Sequence, residues 1–212
     1  MARGRPYRGK RTVDLVLLAL VAVPAAVLGV VCAAAVRLTS SGPVFFRQQR
    51  VGRDGVPFEM VKFRSMLEGV NPVFPDADRI TGVGRVLRRT SLDELPNLLN
   101  VARGEMSIVG PRPTLAYQVE RYDERQRLRL AVRPGLTGLA QVNGRNALSW
   151  PERIEFDIDY VGRQSVALDL RIVGETVGVL LTGSGVEGHQ ADDPLAADPA
   201  PDDPRPDGPG QA

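Results

Sequence analysis

Two adjacent carboxylates, Asp93 and Glu94, follow a pair of arginines in the stretch Arg88-Arg89-Thr90-Ser91-Leu92-Asp93-Glu94-Leu95-Pro96-Asn97. Carboxylates beside guanidinium groups suit chemistry on phosphate, with the carboxylate as a metal ligand and the arginine forks matching phosphate oxygens at two points. A structural role competes: Ser91-x-x-Glu94 has the spacing of a capping box, and acids in a first turn gain roughly 0.3–1 kcal/mol from the helix dipole. Further cations surround the dyad in sequence: Lys62 and Arg64 in Lys62-Phe63-Arg64, Arg112 in Gly110-Pro111-Arg112-Pro113 and Arg145 in Asn143-Gly144-Arg145-Asn146. Any one arginine would ordinarily be a solvated surface residue. Several on glycine and proline turns around a carboxylate pair point to a pyrophosphate, whose charge a Mg2+ (or Mn2+) shared with a carboxylate would balance.

Other chemistries are poorly provided for. The 212 residues hold one cysteine, Cys32, and one histidine, His189. A disulfide within the chain and a Cys/His zinc site are thereby excluded, and a Ser-His-Asp or Cys-His mechanism nearly so. Catalysis must run on carboxylates, hydroxyls, Lys and Arg, and any metal must be held by oxygen. The formal net charge is +2, but residues 186–212 contain six Asp, one Glu and one Arg, which leaves 26 Lys and Arg against 18 Asp and Glu in the remainder. That basic body points to an anionic partner: nucleic acid, phospholipid headgroups or phosphorylated small molecules. Nucleic acid fits poorly, since aromatics make up only 5% and no recognition-helix pattern is present.

The elements that position these residues read as an α+β, mostly helical fold in three regions: 1–37, 38–185 and 186–212. The first is a basic N-terminus followed by an uncharged run from Leu15 to Val36. That run is long enough as a helix to cross a hydrocarbon core. Pro24 sits near its middle and both flanks are basic, so a re-entrant helix that bends at the proline and returns to the same face is expected. A plain transmembrane helix and, less well, a cleaved signal peptide are the alternatives. Asp14 would either pair with Lys10 or Arg11 or stand solvated at the helix start. Two strand-like runs, 44–48 and 58–63, flank the turn Gly52-Arg53-Asp54-Gly55 and predict a short β-hairpin. Residues 67–79 read as a loop, Ser91–Val101 and Leu115–Leu130 as helices, and Pro134-Gly135-Leu136-Thr137-Gly138 as a sharp break. Glu152–Val161 and Leu168–Leu181 are two further helices. The second has an apolar face (Leu170, Val173, Val177, Leu180, Leu181) able to pack on the core or to lie among lipid headgroups. From about residue 186 the chain is an acidic, proline-rich tail expected to be disordered.

The motifs Lys62-Phe63-Arg64-Ser65-Met66, Thr90-Ser91-Leu92-Asp93-Glu94-Leu95-Pro96, Met106-Ser107-Ile108-Val109-Gly110-Pro111-Arg112-Pro113 and Pro134-Gly135-Leu136-Thr137-Gly138 follow the order found in the bacterial sugar transferase family. The chain resembles these monotopic polyprenyl-phosphate phosphoglycosyl transferases from roughly Lys10 to Leu181, in their minimal form. The resemblance implies transfer of a sugar-1-phosphate from a UDP-sugar to a polyprenyl (undecaprenyl) phosphate, releasing UMP, at the cytoplasmic face of a bacterial membrane. It implies Asp93 as the nucleophile that carries the phosphosugar covalently, Mg2+ bound near Asp93, and Glu94 orienting or activating the acceptor. It further implies Arg88 and Arg112 on phosphates or bracing the dyad, Arg145 on the nucleotide-sugar, and a re-entrant helix broken at Pro24.

The chain departs from the family pattern at Val23, where a polar residue often precedes the proline; valine offers the freed carbonyl no hydrogen bond. A reading from a different class is a catalytically silent membrane scaffold for glycan assembly. An altered dyad would have favoured it, and Asp93-Glu94 is intact. Neither the sugar, the glycan pathway (exopolysaccharide, capsule, O-antigen or glycoprotein) nor the oligomeric state is legible.

Overall fold

The computed structural model describes residues 6–67, 79–144 and 147–182. The expected tail, all but the ends of the expected loop at 67–79, and Arg145 lie outside the described residues.

A single helix, α1 (Lys10–Thr39), contains the apolar run and is the one described helix long and apolar enough to cross a membrane. The helix continues through Pro24 without a gap. Its two ends are buried and its middle is not. Near the start, Asp14 is fully buried, and near the end Cys32 and Val36 pack with Phe63 and Leu87. Between them Leu20, Val23, Val27 and Val30 are exposed. The C-terminal carbonyls, which no longer have partners within the helix, are taken up by Arg64, which donates to Ser40 O at 2.9 Å and also to Ser41 O.

The hairpin is as the turn chemistry predicts. Strands β1 (Phe45–Val51) and β2 (Pro57–Phe63) pair antiparallel from Phe45 opposite Phe63 to Val51 opposite Pro57. Asp54 and Gly55 close the turn with positive φ of 56° and 81°. Because side chains alternate between faces, Phe46, Gln48 and Arg50 share one face with Lys62, Met60 and Phe58. Phe58 and Met60 on that face belong to the main core, with Val101, Met106, Tyr160 and Ile172.

Beyond the hairpin, three expectations are corrected. The helix expected over Ser91–Val101 is instead a 3-10 turn over Leu92–Asn97 followed by α3 (Leu98–Arg103), and a separate helix, α2 (Gly82–Thr90), precedes it. Pro96 explains the interruption: without an N–H, and with its ring against the carbonyl four residues back, it resists a continuous α-helix. The Leu115–Leu130 helix is likewise two pieces, α4 (Ala116–Glu120) and a 3-10 turn over Gln126–Ala131. Asp123 and Gln126 exchange reciprocal hydrogen bonds, Gln126 N to Asp123 Oδ1 at 2.8 Å and Asp123 N to Gln126 Oε1 at 3.0 Å, so a fresh turn starts there. Finally, the glycine-rich break at 134–138 is a short strand, β4 (Gly135–Thr137), parallel to β3 (Ser107–Val109). The approach is so close that a Cβ on Gly135 would lie 2.1 Å from Gly110 N. Only glycine permits it.

The chain then runs through α5 (Leu139–Val142) into α6 (Trp150–Arg163) and α7 (Val166–Thr182), both matching expectation. Ser149 and Glu152 form the capping box that starts α6. On α7, Leu168, Asp169 and Ile172 face the core, while Leu170, Val177 and Leu180 of the apolar stripe stay exposed. The result is an α+β, mostly helical fold whose interior joins both ends of α1 to one body.

Candidate active site

Asp93 and Glu94 occupy the 3-10 turn directly after Ser91, which takes a left-handed conformation (φ 56°) uncommon for a residue with a side chain. The expected capping box is absent: Ser91 makes no side-chain cap here, and Glu94 N donates to the Ser91 carbonyl at 3.2 Å. Glu94 turns elsewhere. Its Oε1 accepts from Lys62 Nζ and from an Arg112 Nη2, each at 2.7 Å. Lys62 is carried on β2 and Arg112 on the turn after β3, so the carboxylate joins two elements to its own.

Each cation is held by the surrounding chain. The Arg112 turn is fixed by Gly110 N donating to Thr137 O (2.9 Å), by Gly135 N donating to Pro111 O (2.8 Å) and by Val51 N donating to Thr114 O (2.9 Å). A fully buried arginine, Arg129, donates to the Arg112 carbonyl at 2.9 Å and pairs with Asp157. Tyr122 Oη accepts from Arg129 Nη1 at 2.7 Å.

The two carboxylates are electrostatically unlike. Burial pushes Asp93 up to about 6, reinforced by the adjacent Glu94 charge and opposed by Lys62, Arg112 and Arg88. Burial would raise Glu94 too, but Arg112 and Lys62 outweigh it and hold the group far below the usual carboxylate range. Burial lowers Lys62, with Glu94 partly offsetting it; Arg112 is raised by Glu94. Glu94 is therefore a fixed anion neutralised within the protein. Asp93 accepts no hydrogen bond and forms no ion pair among the described residues, and its carboxylate is left for something else. Such a division between paired carboxylates marks a chemical site.

Among the described residues no three Cys, His, Asp or Glu side chains converge to cage a metal. A magnesium ion needs less: it keeps several waters and is commonly bound by one or two carboxylates together with substrate phosphates. Asp93, half-buried and without a hydrogen-bonding partner, fits that shared mode.

Of the residues expected at the site, Asp93, Glu94, Lys62 and Arg112 come together. Arg88 lies near enough to act on the Asp93 charge and donates to Met66 Sδ at 3.1 Å. Arg64 is not brought to the dyad; its hydrogen bonds are spent on the end of α1. Sequence reasoning missed Arg50 and Arg129. Arg50 was visible in principle, because counting back across the hairpin turn puts it on the apolar face with Met60.

These motifs match the family model described as bacterial sugar transferase over residues 6–183. The chain belongs to the bacterial sugar transferase family. As a sugar transferase it is an enzyme, and the scaffold reading falls. A Bacillus subtilis (strain 168) protein named uncharacterized sugar transferase EpsL is 46% identical over 157 residues, covering 73% of this chain and 78% of its own. The exopolysaccharide production protein ExoY of Sinorhizobium fredii is 38% identical over 203 residues, 85% of this chain and 90% of its own. A Caulobacter vibrioides protein named UDP-glucose:undecaprenyl-phosphate glucose-1-phosphate transferase is 46% identical over 186 residues, 82% of this sugar transferase and 70% of its own length.

Proposed function

We propose that this enzyme transfers a sugar-1-phosphate from a UDP-sugar to undecaprenyl phosphate at the cytoplasmic face of a bacterial membrane, through a covalent intermediate on Asp93. The observation that carries the reading is the contrast within the dyad: Glu94 is neutralised by Lys62 and Arg112, and Asp93 forms no ion pair or hydrogen bond among the described residues. The names of the relatives support the substrate classes.

An Asp93 oxygen attacks the sugar-proximal phosphorus, the bond from that phosphorus to the bridging oxygen breaks, and UMP leaves with that oxygen. A phosphate oxygen of the acceptor then attacks the same phosphorus. The Asp93–phosphorus bond breaks, and polyprenyl-diphospho-sugar is released with the carboxylate regenerated. A carboxylate is apt for both steps, being able to attack and to leave. Lys62 and Arg112, braced by Glu94, present positive charge to the phosphate oxygens on which negative charge develops. Mg2+ or Mn2+ bound at Asp93 would supply Lewis-acid neutralisation of the pyrophosphate.

The fold supports a membrane setting. Both ends of α1 rest on the same body while its middle is exposed and apolar, as a helix entering and leaving one leaflet requires. The exposed apolar residues of α7 suit the headgroup layer.

The deciding experiment is single-turnover UMP release from a panel of UDP-sugars with the protein in nanodiscs, with and without undecaprenyl phosphate. A stoichiometric burst of UMP without acceptor, lost in Asp93→Asn, is expected. Release that strictly requires acceptor, or survives in the variant, rejects the covalent route.

A further inference from the structure

Arg50 has no assigned role. It lies near the end of β1, on the same face as Lys62 and Met60. The next residue, Val51, donates its N–H to Thr114 O, which ties this end of the hairpin to the Arg112-Pro113-Thr114 turn. That tie sets Arg50 beside Arg112, close enough for its guanidinium to feel the Arg112 charge. Nothing among the described residues neutralises it: its one hydrogen bond goes to the uncharged Gln48 Oε1 at 2.6 Å, and its Nε is buried with no partner. Glu94, the one carboxylate felt there, is already shared by Lys62 and Arg112. A half-buried arginine pressed against a second one is costly unless an anion joins them. Burial and Arg112 together lower Arg50 to about 10.

We infer that Arg50 and Arg112 form a two-arginine subsite for a substrate phosphate, at the hairpin end of the dyad. The geometry explains why the hairpin is fastened at Val51 and why Gln48 shares its face: Gln48 holds the Arg50 fork while Arg112 keeps one Nη on Glu94. The phosphate belongs either to the nucleotide-sugar or to the polyprenyl acceptor. Both are phosphate esters with oxygens suited to paired guanidinium groups. The inference rests on the transferase reading above.

The test uses full-length protein in nanodiscs, comparing wild type with Arg50→Gln, Arg50→Lys and a control, Arg47→Gln. Arg47 lies on the other face of β1 and pairs with exposed Glu59, so its loss should leave every quantity unchanged. Two quantities are read: UDP affinity with Mg2+ present, by calorimetry, and the KM for undecaprenyl phosphate. Loss of a hydrogen bond to a charged group predicts roughly a tenfold or greater change in one of them for Arg50→Gln. Arg50→Lys, which keeps the charge and loses the fork, should fall between. Weakened UDP binding with unchanged acceptor KM places the nucleotide phosphate there, and the reverse pattern places the acceptor phosphate. Unchanged values for both, in a variant that melts like wild type, overturn the subsite. If Arg50→Gln fails to fold, Arg50→Lys carries the same comparison. If wild type binds UDP but releases UMP from no UDP-sugar, the transferase reading fails while the UDP comparison still decides the role of Arg50.

Discussion

Arg129 donates through Nη2 to the main-chain carbonyl of Arg112 at 2.9 Å, so one buried arginine holds the backbone that presents another to the dyad. Arg129 can do this because Asp157 and Tyr122 satisfy the rest of its guanidinium in a fully buried setting. Replacing Arg129 by methionine strands Asp157, whose carboxyl burial already pushes up. Breaking one side of a buried pair typically costs about 3–5 kcal/mol. Thermal unfolding of the nanodisc protein should show a fall in melting temperature of roughly 10 °C, taking about 2–4 °C per kcal/mol for a domain of this size. The double variant Arg129→Met with Asp157→Leu should recover much of that stability without recovering activity, since the Arg112 carbonyl still lacks its donor. Full activity in the double variant would mean that Arg129 does not position the turn.

The elevated Asp93 carboxyl predicts the acid side of the pH profile. A nucleophile must be ionised, and Asp93 is pushed up to about 6 by burial and by Glu94. The burst of UMP should therefore be lost as pH falls through about 6, where an unperturbed aspartate would hold its rate to about 4. Magnesium beside Asp93 would favour the charged form, so raising its concentration should move that limb towards acid. Glu94 contributes no second limb in this range, being held ionised by Arg112 and Lys62. A profile flat to pH 4.5 at low magnesium would contradict the assignment.

Glu94→Gln tests the brace rather than the nucleophile. Lys62 is already lowered by burial and by Arg112, and Glu94 is the leading opposing influence. Removing that carboxylate should lower Lys62 further, so the neutral amine appears at a lower pH. Acetic anhydride labelling followed across pH should show Lys62 reacting at lower pH in Glu94→Gln than in wild type. The maximal rate should fall while the folded state persists, because Arg112 loses its fixed orientation. An unmoved labelling profile would mean that the contact with Lys62 at 2.7 Å does not hold in solution.

The residue types of the site were legible in the sequence, and the arrangement was only partly so. Among the described residues the spacing Ser-x-x-Glu occurs at Ser91 and at Ser149, yet only the second forms a capping box. Glu152 is on an exposed first turn and pairs with no cation among the described residues, whereas Glu94 is claimed by Lys62 and Arg112 from elements 32 residues before and 18 after it. Such competition is a tertiary fact that local spacing does not encode. The same holds for Arg129, whose partners Thr114, Tyr122 and Asp157 assemble only when α6 packs on the 3-10 turn of 126–131. The hairpin and the last two helices were readable because turn chemistry and periodicity fix them locally. The parallel pairing of β3 with β4 was not, since three-residue strands carry no period to read.

The N-terminal attachment of α1 leads to a prediction about topology. Asp14 accepts from Ser107 Oγ at 2.8 Å, from Ile108 N at 3.0 Å and from Lys10 at 3.1 Å, and Lys10 also pairs with Asp169 at 2.8 Å. Tyr7 and Tyr160 each donate to Asp169 at 2.8 Å, so the start of α1 is welded to β3 and α7 by a buried polar network. The other end is bound through Arg64 and the Val36–Phe63 cluster. A helix with both ends fixed to one body presents both to the same side of the bilayer. Exposed Thr12 and Leu38, replaced singly by cysteine in a Cys32→Ala background, should therefore label with an impermeant maleimide from the cytoplasmic side only. Labelling of the two positions from opposite sides would reject the arrangement. Asp14→Leu should leave Ser107 Oγ and Ile108 N without their acceptor, while Lys10 keeps Asp169, and hydrogen exchange should rise first at β3, next to the turn that carries Arg112. That local loosening, together with a lowered rate, would tie the seating of α1 to the geometry of the dyad.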